Sequence, residues 1–379
     1  MTTYNVSKKN LTSIYVAATS QHVGKTTSTL GLIHTLRKQG LNVGYSKPVG
    51  QQHVTHDGKQ VDKDTALFAQ FMGFEIEPDI HSPIILGRGA TKAYIDNPSA
   101  FSLEDRLDYA REVLENRHEF VVYEGTGHPG VGSVANVSNS VVAEHMDSGV
   151  IMIVEAGIGN TIDLLDLNLS VFQQKNIPIL GIIINKCLPE KIEQVQHYVG
   201  KVLAQRGLPI LGIIPYEEEL ALPLMATIRK AIKGDVMYNE THFDNKVEDI
   251  IAGSLIDLNE LKSFRNQLLV VSFNRIKDAL GKIQHVCDQA CLENSPLSGI
   301  ILTGQGTLPE DTIKYIQDNE IPVIRSRIDT YESVIKISRI EVKINTRTPW
   351  KVKKAVELFE KHVDLTHLMK SISKIHSGI

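Results

Sequence analysis

The chain has 379 residues, 42% of them hydrophobic and 22% charged, with a formal net charge of -4. This length predicts two domains, and the slightly acidic balance gives no reason to expect a nucleic-acid surface. No apolar run in the sequence approaches the roughly 18 residues that a membrane span needs. The first ten residues are polar, without the apolar centre of a signal peptide. The three cysteines make no disulfide framework, so we expect a cytoplasmic protein.

The first element is an apolar, β-branched run at residues 13–19, which predicts a buried strand. A polar stretch ending in Gly24-Lys25-Thr26 follows, and then a helical pattern. This order is typical of a phosphate-binding loop, although Thr19 stands where the standard pattern has its first glycine. Main-chain N–H groups at the helix start would face an anion. Lys25 would reach the terminal phosphates and the Thr26 hydroxyl would ligate Mg²⁺.

The predicted nucleotide contacts in this stretch are Gln21, His22, Val23, Gly24, Lys25, Thr26 and Thr27.

A second strand at residues 42–45 delivers Lys47 to the carboxyl end of the sheet, where open α/β sheets bind their ligands. A solvated lysine before a turn proline is the alternative interpretation. Residues 51–63 are polar and show no periodicity, which predicts a loop. Asp62 or Asp64 then begins a helix. For Asp64 two interpretations stay open, a helix N-cap and a residue that helps to order a metal near the phosphates.

A short apolar strand at residues 120–123 ends in Glu124, directly before a glycine-rich turn. A carboxylate at the tip of such a strand is the usual second Mg²⁺ ligand of phosphate-loop proteins, so we predict that Glu124 holds the metal directly or through water. Gly125 and Gly127 allow main-chain amides to approach a ligand closely, and we count both among the nucleotide contacts.

Three further apolar strands are predicted at residues 150–155, 178–184 and 209–214, separated by helical patterns. Asn185 follows the second of them and can pair with a base edge, so it is a candidate adenine reader. Pro215 ends the last strand and is also predicted to contact the nucleotide. Six strands alternating with helices predict an α/β fold, a doubly wound and mostly parallel sheet.

These motifs together resemble dethiobiotin synthetase and its relatives, the deviant phosphate-loop ATPases that include cobyrinic acid diamide synthases. The resemblance covers roughly residues 13–221 and is carried by residues 18–26, Lys47-Pro48-Val49, Asp64, Glu124-Gly125 and Asn185. It implies ATP as cofactor, Mg²⁺ on Thr26, Asp64 and Glu124, and activation of a carboxylate or carbamate. Lys25 and Lys47 would then be the catalytic residues that neutralise charge on the transferring phosphoryl group. The family's substrate-holding residues after Lys-Pro-Val are replaced here by Gly50-Gln51-Gln52.

A finer likeness is to the N-terminal region of long bacterial phosphate acetyltransferases. Residues 124–133, 157–163 and 188–191 carry it. Because the chain ends soon after its second domain, the acetyltransferase domain is expected to be absent, and we predict that the chain is not an acetyltransferase.

The second half predicts a smaller α/β unit that resembles the DRTGG domain over roughly residues 248–345. The signature itself is missing, since its place reads Ser272-Phe273-Asn274-Arg275-Ile276. The predicted domains are an ATPase domain at 1–232, a linker at 233–247, and a regulatory or dimerising DRTGG-like domain with a C-terminal helix at 248–379.

Two functions follow from these expectations. One is a Mg²⁺-dependent, ATP-hydrolysing, ligase-like enzyme that acts on an unknown small substrate. The other is a non-catalytic ATP-binding switch read out by the second domain. By analogy with the family we expect a homodimer, with no nucleic-acid or membrane partner.

Overall fold

The protein was analysed as a computed structural model, which describes residues 11–253, 265–289, 291–292 and 294–376. Contacts divide the chain into two compact units. The first comprises Met1–Glu217 together with Ile344–Ile379, and the second comprises Glu218–Lys343.

The strands of the described residues, in chain order, are β1 (Ser13–Ala18), β2 (Val43–Ser46), β3 (Val49–Gly50), β4 (His53–His56), β5 (Lys59–Asp62), β6 (Ile84–Ile85), β7 (Phe120–Glu124), β8 (Gly149–Glu155), β9 (Ile179–Cys187), β10 (Ile210–Pro215), β11 (Asp235–Tyr238), β12 (Asp249–Ala252), β13 (Gln267–Ser272), β14 (Leu297–Thr303) and β15 (Val323–Arg325).

The α-helices are α1 (Lys25–Lys38), α2 (Lys63–Met72), α3 (Pro78–His81), α4 (Ala90–Asp96), α5 (Leu103–Arg117), α6 (Asn139–His145), α7 (Gly159–Gln174), α8 (Ile192–Gln205), α9 (Glu218–Ala221), α10 (Met225–Ile232), α11 (Ile276–Gln289), α12 (Glu310–Asp318), α13 (Thr330–Ser338), α14 (Pro349–His362) and α15 (Thr366–His376). Short 3₁₀ helices lie at Pro98–Ala100, Ser133–Ala135, Pro189–Lys191 and Glu240–His242.

The first unit is built on a six-stranded sheet in the order β10-β9-β8-β1-β7-β2. Every neighbouring pair in it is parallel. Its central strands are apolar on both faces because helices cover both faces, as parallel sheets require. The predicted doubly wound α/β sheet of six strands is therefore confirmed. The strand order reverses beside β1, with β7 and β2 on one side and β8 to β10 on the other.

Residues 51–63, predicted as a loop, instead contain the antiparallel hairpin of β4 and β5. Asp57 and Gly58 form its turn with φ angles of 47° and 77°. A two-residue Asp-Gly turn with both φ angles positive matches the twist of a hairpin. The prediction was wrong because most hairpin side chains are exposed and polar, which hides the alternation of a half-buried strand.

The C-terminal helix, predicted for the second domain, belongs to the first unit and is two helices, α14 and α15. Ala355, Val356 and Phe359 form the buried face of α14. The side chain of Phe359 lies directly against Gly31 of α1, where an added methyl group would come within 2.1 Å of the Phe359 Cβ. The sequence pattern shows that α14 has an apolar face, but not which surface covers it.

The second unit is a five-stranded sheet in the order β11-β15-β14-β13-β12. Alternate residues of β13 face opposite cores, with Leu268 and Val270 in one cluster and Leu269 and Val271 in the other. β11 pairs antiparallel with β15 and lies within the predicted linker at 233–247, so this unit begins earlier than expected. Within the described ranges, no helix is long and apolar enough to cross a membrane.

Candidate functional site

The carboxyl ends of β1, β7 and β2 lie side by side, because β7 pairs with both other strands. The loop after β1, the lysine after β2 and the glutamate that ends β7 therefore meet at one edge of the sheet. This edge includes the point where the strand order reverses, which is where open α/β sheets bind ligands.

The loop after β1 runs into α1 through two residues in the left-handed region, His22 with φ 60° and Gly24 with φ 100°. Thr19 does not take this conformation, and its N–H donates to the carbonyl of Ile153 on β8 at 3.0 Å. A glycine is thus not required at Thr19, which explains how the loop departs from the standard pattern. α1 begins at Lys25, so its first N–H groups lie at the end of this loop.

Lys25 and Gly127, 102 residues apart, are joined by a hydrogen bond of 2.9 Å from the Lys25 ammonium to the Gly127 carbonyl. Gly127 has φ 60°, and a methyl group on it would lie 3.7 Å from Nε2 of Gln21. The structure therefore brings together the two glycine-containing loops that the sequence predicted to contact a nucleotide. Val23 is buried in the same loop, and Thr27 follows in the first turn of α1.

Thr26 donates its hydroxyl hydrogen bond to Oε1 of Glu124 at 2.9 Å. Glu124 is 1% exposed, and Tyr45 donates from its hydroxyl to the other oxygen at 3.5 Å. Burial raises the pKa of Glu124 to about 7, although nearby Lys47 acts against this rise. A hydroxyl and a carboxylate beside an anion-binding helix start are the oxygen ligands that fit Mg²⁺ with phosphate groups.

Lys47 is 7% exposed and lies among three carboxylates. Its ammonium pairs with Asp64, with Oδ1 of Asp62 at 3.2 Å and with Oε1 of Glu124 at 3.9 Å. Burial alone lowers the pKa of Lys47, but the three carboxylates outweigh burial and hold this pKa above its ordinary value. The interpretation of Lys47 as a solvated lysine is therefore wrong.

Asp62, and not Asp64, is the N-cap of α2, because its side chain accepts a hydrogen bond from the Asp64 N–H. The Asp64 carboxylate instead pairs with Lys47. Among the described residues, no three His, Cys, Asp or Glu side chains are arranged to hold a metal by themselves. The role of Asp64 in ordering a metal stays a prediction.

Asn185 is 6% exposed and donates from its side-chain amide to the carbonyl of Val23 at 2.8 Å. A methyl group on Gly24 would lie 2.0 Å from the same nitrogen. Asn185 therefore fixes the main chain of the loop after β1 through this hydrogen bond. Its proposed recognition of the adenine base stays a prediction. Pro215 lies at the carboxyl end of β10, opposite Cys187 in the register with β9.

Sequence reasoning missed Asn139, whose side chain forms hydrogen bonds to the main chain of the glycine-rich loop after β7. Its Nδ2 donates to the carbonyls of Thr126 at 2.9 Å and His128 at 2.7 Å, while its Oδ1 accepts from the Thr126 N–H and the Tyr15 hydroxyl. Gly125 leaves room for this amide, since a methyl group there would lie 2.3 Å from Oδ1. The sequence contains no signal for this role, because Asn139 lies 13 residues from Thr126 in chain order.

Comparison with protein-family models gives two matches, an AAA domain over residues 12–223 and a DRTGG domain over residues 227–340. They confirm the predicted pair of domains and extend the second domain towards the N-terminus.

Curated relatives cover much of the chain. A phosphate acetyltransferase of Nitratidesulfovibrio vulgaris is 23% identical over 94% of this chain and 51% of its own length. A dethiobiotin synthetase of Clostridium acetobutylicum is 26% identical over 54% of this chain and 87% of its own length. A probable cobyric acid synthase of Methanocaldococcus jannaschii is 28% identical over 55% of this chain and 46% of its own length. The chain spans about half the length of the phosphate acetyltransferases that it matches.

The prediction that the chain is not an acetyltransferase is wrong, because these matches relate nearly the whole chain to proteins named phosphate acetyltransferase. The prediction rested on where the chain ends, and chain ends do not decide this relationship.

Among solved structures, the MinD cell division protein of Aquifex aeolicus is similar with a TM-score of 0.37 and 14% identity, over 55% of this chain and 84% of its own. The fold, the site and the family models agree on a P-loop NTPase unit. The chain therefore belongs to the AAA domain family over residues 12–223 and carries a DRTGG domain over residues 227–340.

Proposed function

We propose that the first unit binds ATP with Mg²⁺ and uses it to activate a carboxylate or carbamate of a small substrate. One observation carries this proposal. Lys25, Thr26, Lys47 and Glu124, which come from three separate strand ends, converge through the Lys25–Gly127, Thr26–Glu124 and Lys47–Glu124 contacts.

The phosphates would lie at the start of α1, where main-chain N–H groups and the helix dipole favour an anion. Thr26 and Glu124 would hold the metal, which supplies positive charge to the phosphate oxygens when bound. Lys25 and Lys47 would neutralise negative charge on the terminal phosphoryl group, so catalysis would rest on positioning and electrostatics.

The buried charges support this role for Lys47. Asp62, Asp64 and Glu124 each lie within 4 Å of the Lys47 ammonium, and the charge of nearby Lys25 also acts to lower the pKa of Glu124. The three carboxylates keep the buried Lys47 ammonium charged and fixed in place, as neutralisation of a phosphoryl group would require.

Calorimetric titration with ATP and Mg²⁺ tests the binding proposal. We expect Lys25→Ala to weaken ATP binding by about 100-fold or more, since a hydrogen bond to a charged group contributes about 1.5 to 3 kcal/mol and each loss of about 1.4 kcal/mol weakens binding tenfold. Lys201→Ala, on an exposed position of α8, is the matched control and should bind as wild type. Equal affinity of the Lys25→Ala and wild-type proteins would refute the assignment of the loop.

A turnover assay tests the chemistry. ADP release is measured with bicarbonate and a panel of diamines and carboxylic acids. Acetyl-CoA with phosphate is included because of the relatives named phosphate acetyltransferase. ADP release stimulated by a carboxylic acid or a carbamate precursor supports the proposal. Tight ATP binding without turnover under all conditions would contradict it and favour the switch that the DRTGG domain suggests.

We further propose that the chain forms a homodimer in the cytoplasm. Sedimentation equilibrium tests the assembly, and a concentration-independent mass near 42.1 kDa, the mass of one chain, would contradict it.

A further inference from the structure

Asp62 makes more contacts than its role as the N-cap of α2 requires. Its Oδ1 accepts from the Asp64 N–H at 2.9 Å and pairs with the Lys47 ammonium at 3.2 Å. Its Oδ2 accepts from the N–H groups of Gln51 at 3.1 Å and Gln52 at 3.3 Å. One carboxylate thus joins a helix start, a buried ammonium and the main chain that follows β3.

The main chain of Asp62 is also bound to the segment that holds Lys47. The Asp62 N–H donates to Oγ of Ser82 at 3.0 Å, while the Lys47 N–H donates to the carbonyl of His81 at 3.0 Å. Thr65 links these two anchors, with its Oγ1 at 3.1 Å from the His81 carbonyl and at 2.7 Å from Oγ of Ser82. Both the main chain and the side chain of Lys47 are therefore held by one buried cluster.

The surroundings leave this carboxylate little freedom. Asp62 is 2% exposed, so each of its oxygens depends on protein partners. A methyl group on Gly50 would lie 2.7 Å from Oδ2 and 2.8 Å from the Asp62 Cβ. Gly50 is thus the residue that admits the carboxylate to the N–H groups of Gln51 and Gln52.

We propose that Asp62 is the positioning residue of the site: anchored to the main chain at Gln51 and Gln52, it aligns the Lys47 ammonium for the terminal phosphate of ATP. This inference rests on the proposed function. Asp62 acts through Lys47 and does not itself contact the nucleotide. Because Lys47 is assigned to the terminal phosphoryl group, loss of its alignment affects ATP and leaves ADP largely unaffected.

Asp62→Asn separates positioning from helix capping, since asparagine is an equally good N-cap. If the side-chain oxygen of the new asparagine faces Lys47 and the Asp64 N–H, its side-chain NH₂ group faces the N–H donors of Gln51 and Gln52. Donor then meets donor, and these two hydrogen bonds are lost. We expect amide hydrogen exchange at Gln51 and Gln52 to accelerate by about 10-fold or more, while exchange at Asp64 changes by less than about 3-fold. Unchanged exchange at Gln51 and Gln52 would overturn the proposal.

The ratio of ATP to ADP affinity distinguishes a positioning role from a purely structural one, because loss of stability alone would not change this ratio. In Asp62→Asn the ratio of ATP to ADP affinity, measured by titration with Mg²⁺, should fall by about 10-fold. Gly50→Ala should reproduce this fall, because its methyl group displaces the carboxylate without changing any charge. Asp79→Asn is the matched control, since Asp79 pairs with Lys59 at 2.7 Å but is 69% exposed. An equal loss of ATP and ADP affinity in Asp62→Asn would refute positioning.

The two proposals fail in different ways. If the wild-type protein binds neither nucleotide, the proposed function fails, and hydrogen exchange still decides whether Asp62 holds the main chain at Gln51 and Gln52. If the wild type binds ATP more tightly than ADP and Asp62→Asn keeps the same ratio, the positioning role alone fails.

Discussion

Asn185 donates its side-chain amide to the main-chain carbonyl of Val23 across 162 residues of sequence. The loop after β1 is thereby tied to β9, two strands away from β1 in the sheet. An anion-binding loop must keep its N–H groups aligned in the absence of ligand, and a buried amide that holds its main chain does this.

This contact predicts the effect of Asn185→Ala. Loss of this hydrogen bond should weaken binding of ATP and GTP by the same factor, about 10-fold, because the main chain of the loop is proposed to contact the phosphates and not the base. Parallel titrations with the two nucleotides measure this. A loss confined to ATP would instead support the adenine reading predicted from the sequence.

A second prediction concerns the packing of α14 on α1. Gly31→Ala places a methyl group 2.1 Å from Cβ of Phe359, so helix α14 must shift, and we expect a loss of about 1 to 3 kcal/mol in the free energy of unfolding. Gly200→Ala is the matched control within α8, because its nearest neighbour would be 3.6 Å away. It should stabilise the protein by about 0.5 to 1 kcal/mol through its better helix propensity. Chemical denaturation measures both, and equal effects of the two variants would show that α14 does not press on Gly31.

A third prediction concerns the role of the Thr26 hydroxyl in the effect of Mg²⁺ on ATP affinity. Thr26→Val keeps the branched shape but removes the donor to Glu124, so the gain in ATP affinity produced by Mg²⁺ should fall by about 10-fold. Thr26→Ser retains the hydroxyl and should keep most of this gain. The measurement is ATP affinity with and without Mg²⁺, and an undiminished gain in Thr26→Val would exclude Thr26 as a metal ligand.

His81 predicts a pH dependence of stability. It is 6% exposed, its ring stacks on Phe74 at 4.3 Å between centroids, and its Nδ1 accepts from the Glu77 N–H. Burial lowers the pKa of His81 from 6.5 to about 4. Between these values the unfolded chain binds a proton that the folded chain does not, so the free energy of unfolding falls as the pH falls.

His81→Asn keeps an acceptor near Glu77 but does not titrate. The stability of wild type relative to this variant should therefore fall by about 2 to 3 kcal/mol between pH 7.5 and pH 4. Denaturant unfolding at several pH values measures the difference. A difference that does not vary with pH would show that His81 is protonated to the same extent in both states.

Local patterns allowed much of the first unit to be predicted. The strand before Gly24-Lys25-Thr26 and the helix after it are confirmed, because an apolar run and a helical spacing depend only on neighbouring residues. Glu124 at the end of β7 is confirmed in the same way. The hairpin turn at Asp57 and Gly58 also had a local signal, which the exposed polar strands on both sides obscured.

Other features of the site depend on which elements pack together. Asp62 and Asp64 are equivalent as candidate caps in the sequence, and only the tertiary structure assigns the cap to Asp62 and the pairing with Lys47 to Asp64. Asn139 and its support of Thr126 were likewise not predictable from either residue's neighbours.

The sequence by itself determined the strand, loop and helix that carry Lys25 and Thr26, and it determined that strand ends would present Lys47 and Glu124. These follow from hydrophobic periodicity and turn chemistry, which act over a few residues. Only the tertiary structure decided that Lys47 is shared among three carboxylates, that Asn185 braces Val23 and that α14 returns to cover α1. Such contacts join distant segments, and their free energy depends on burial and geometry that exist only once the sheet has formed.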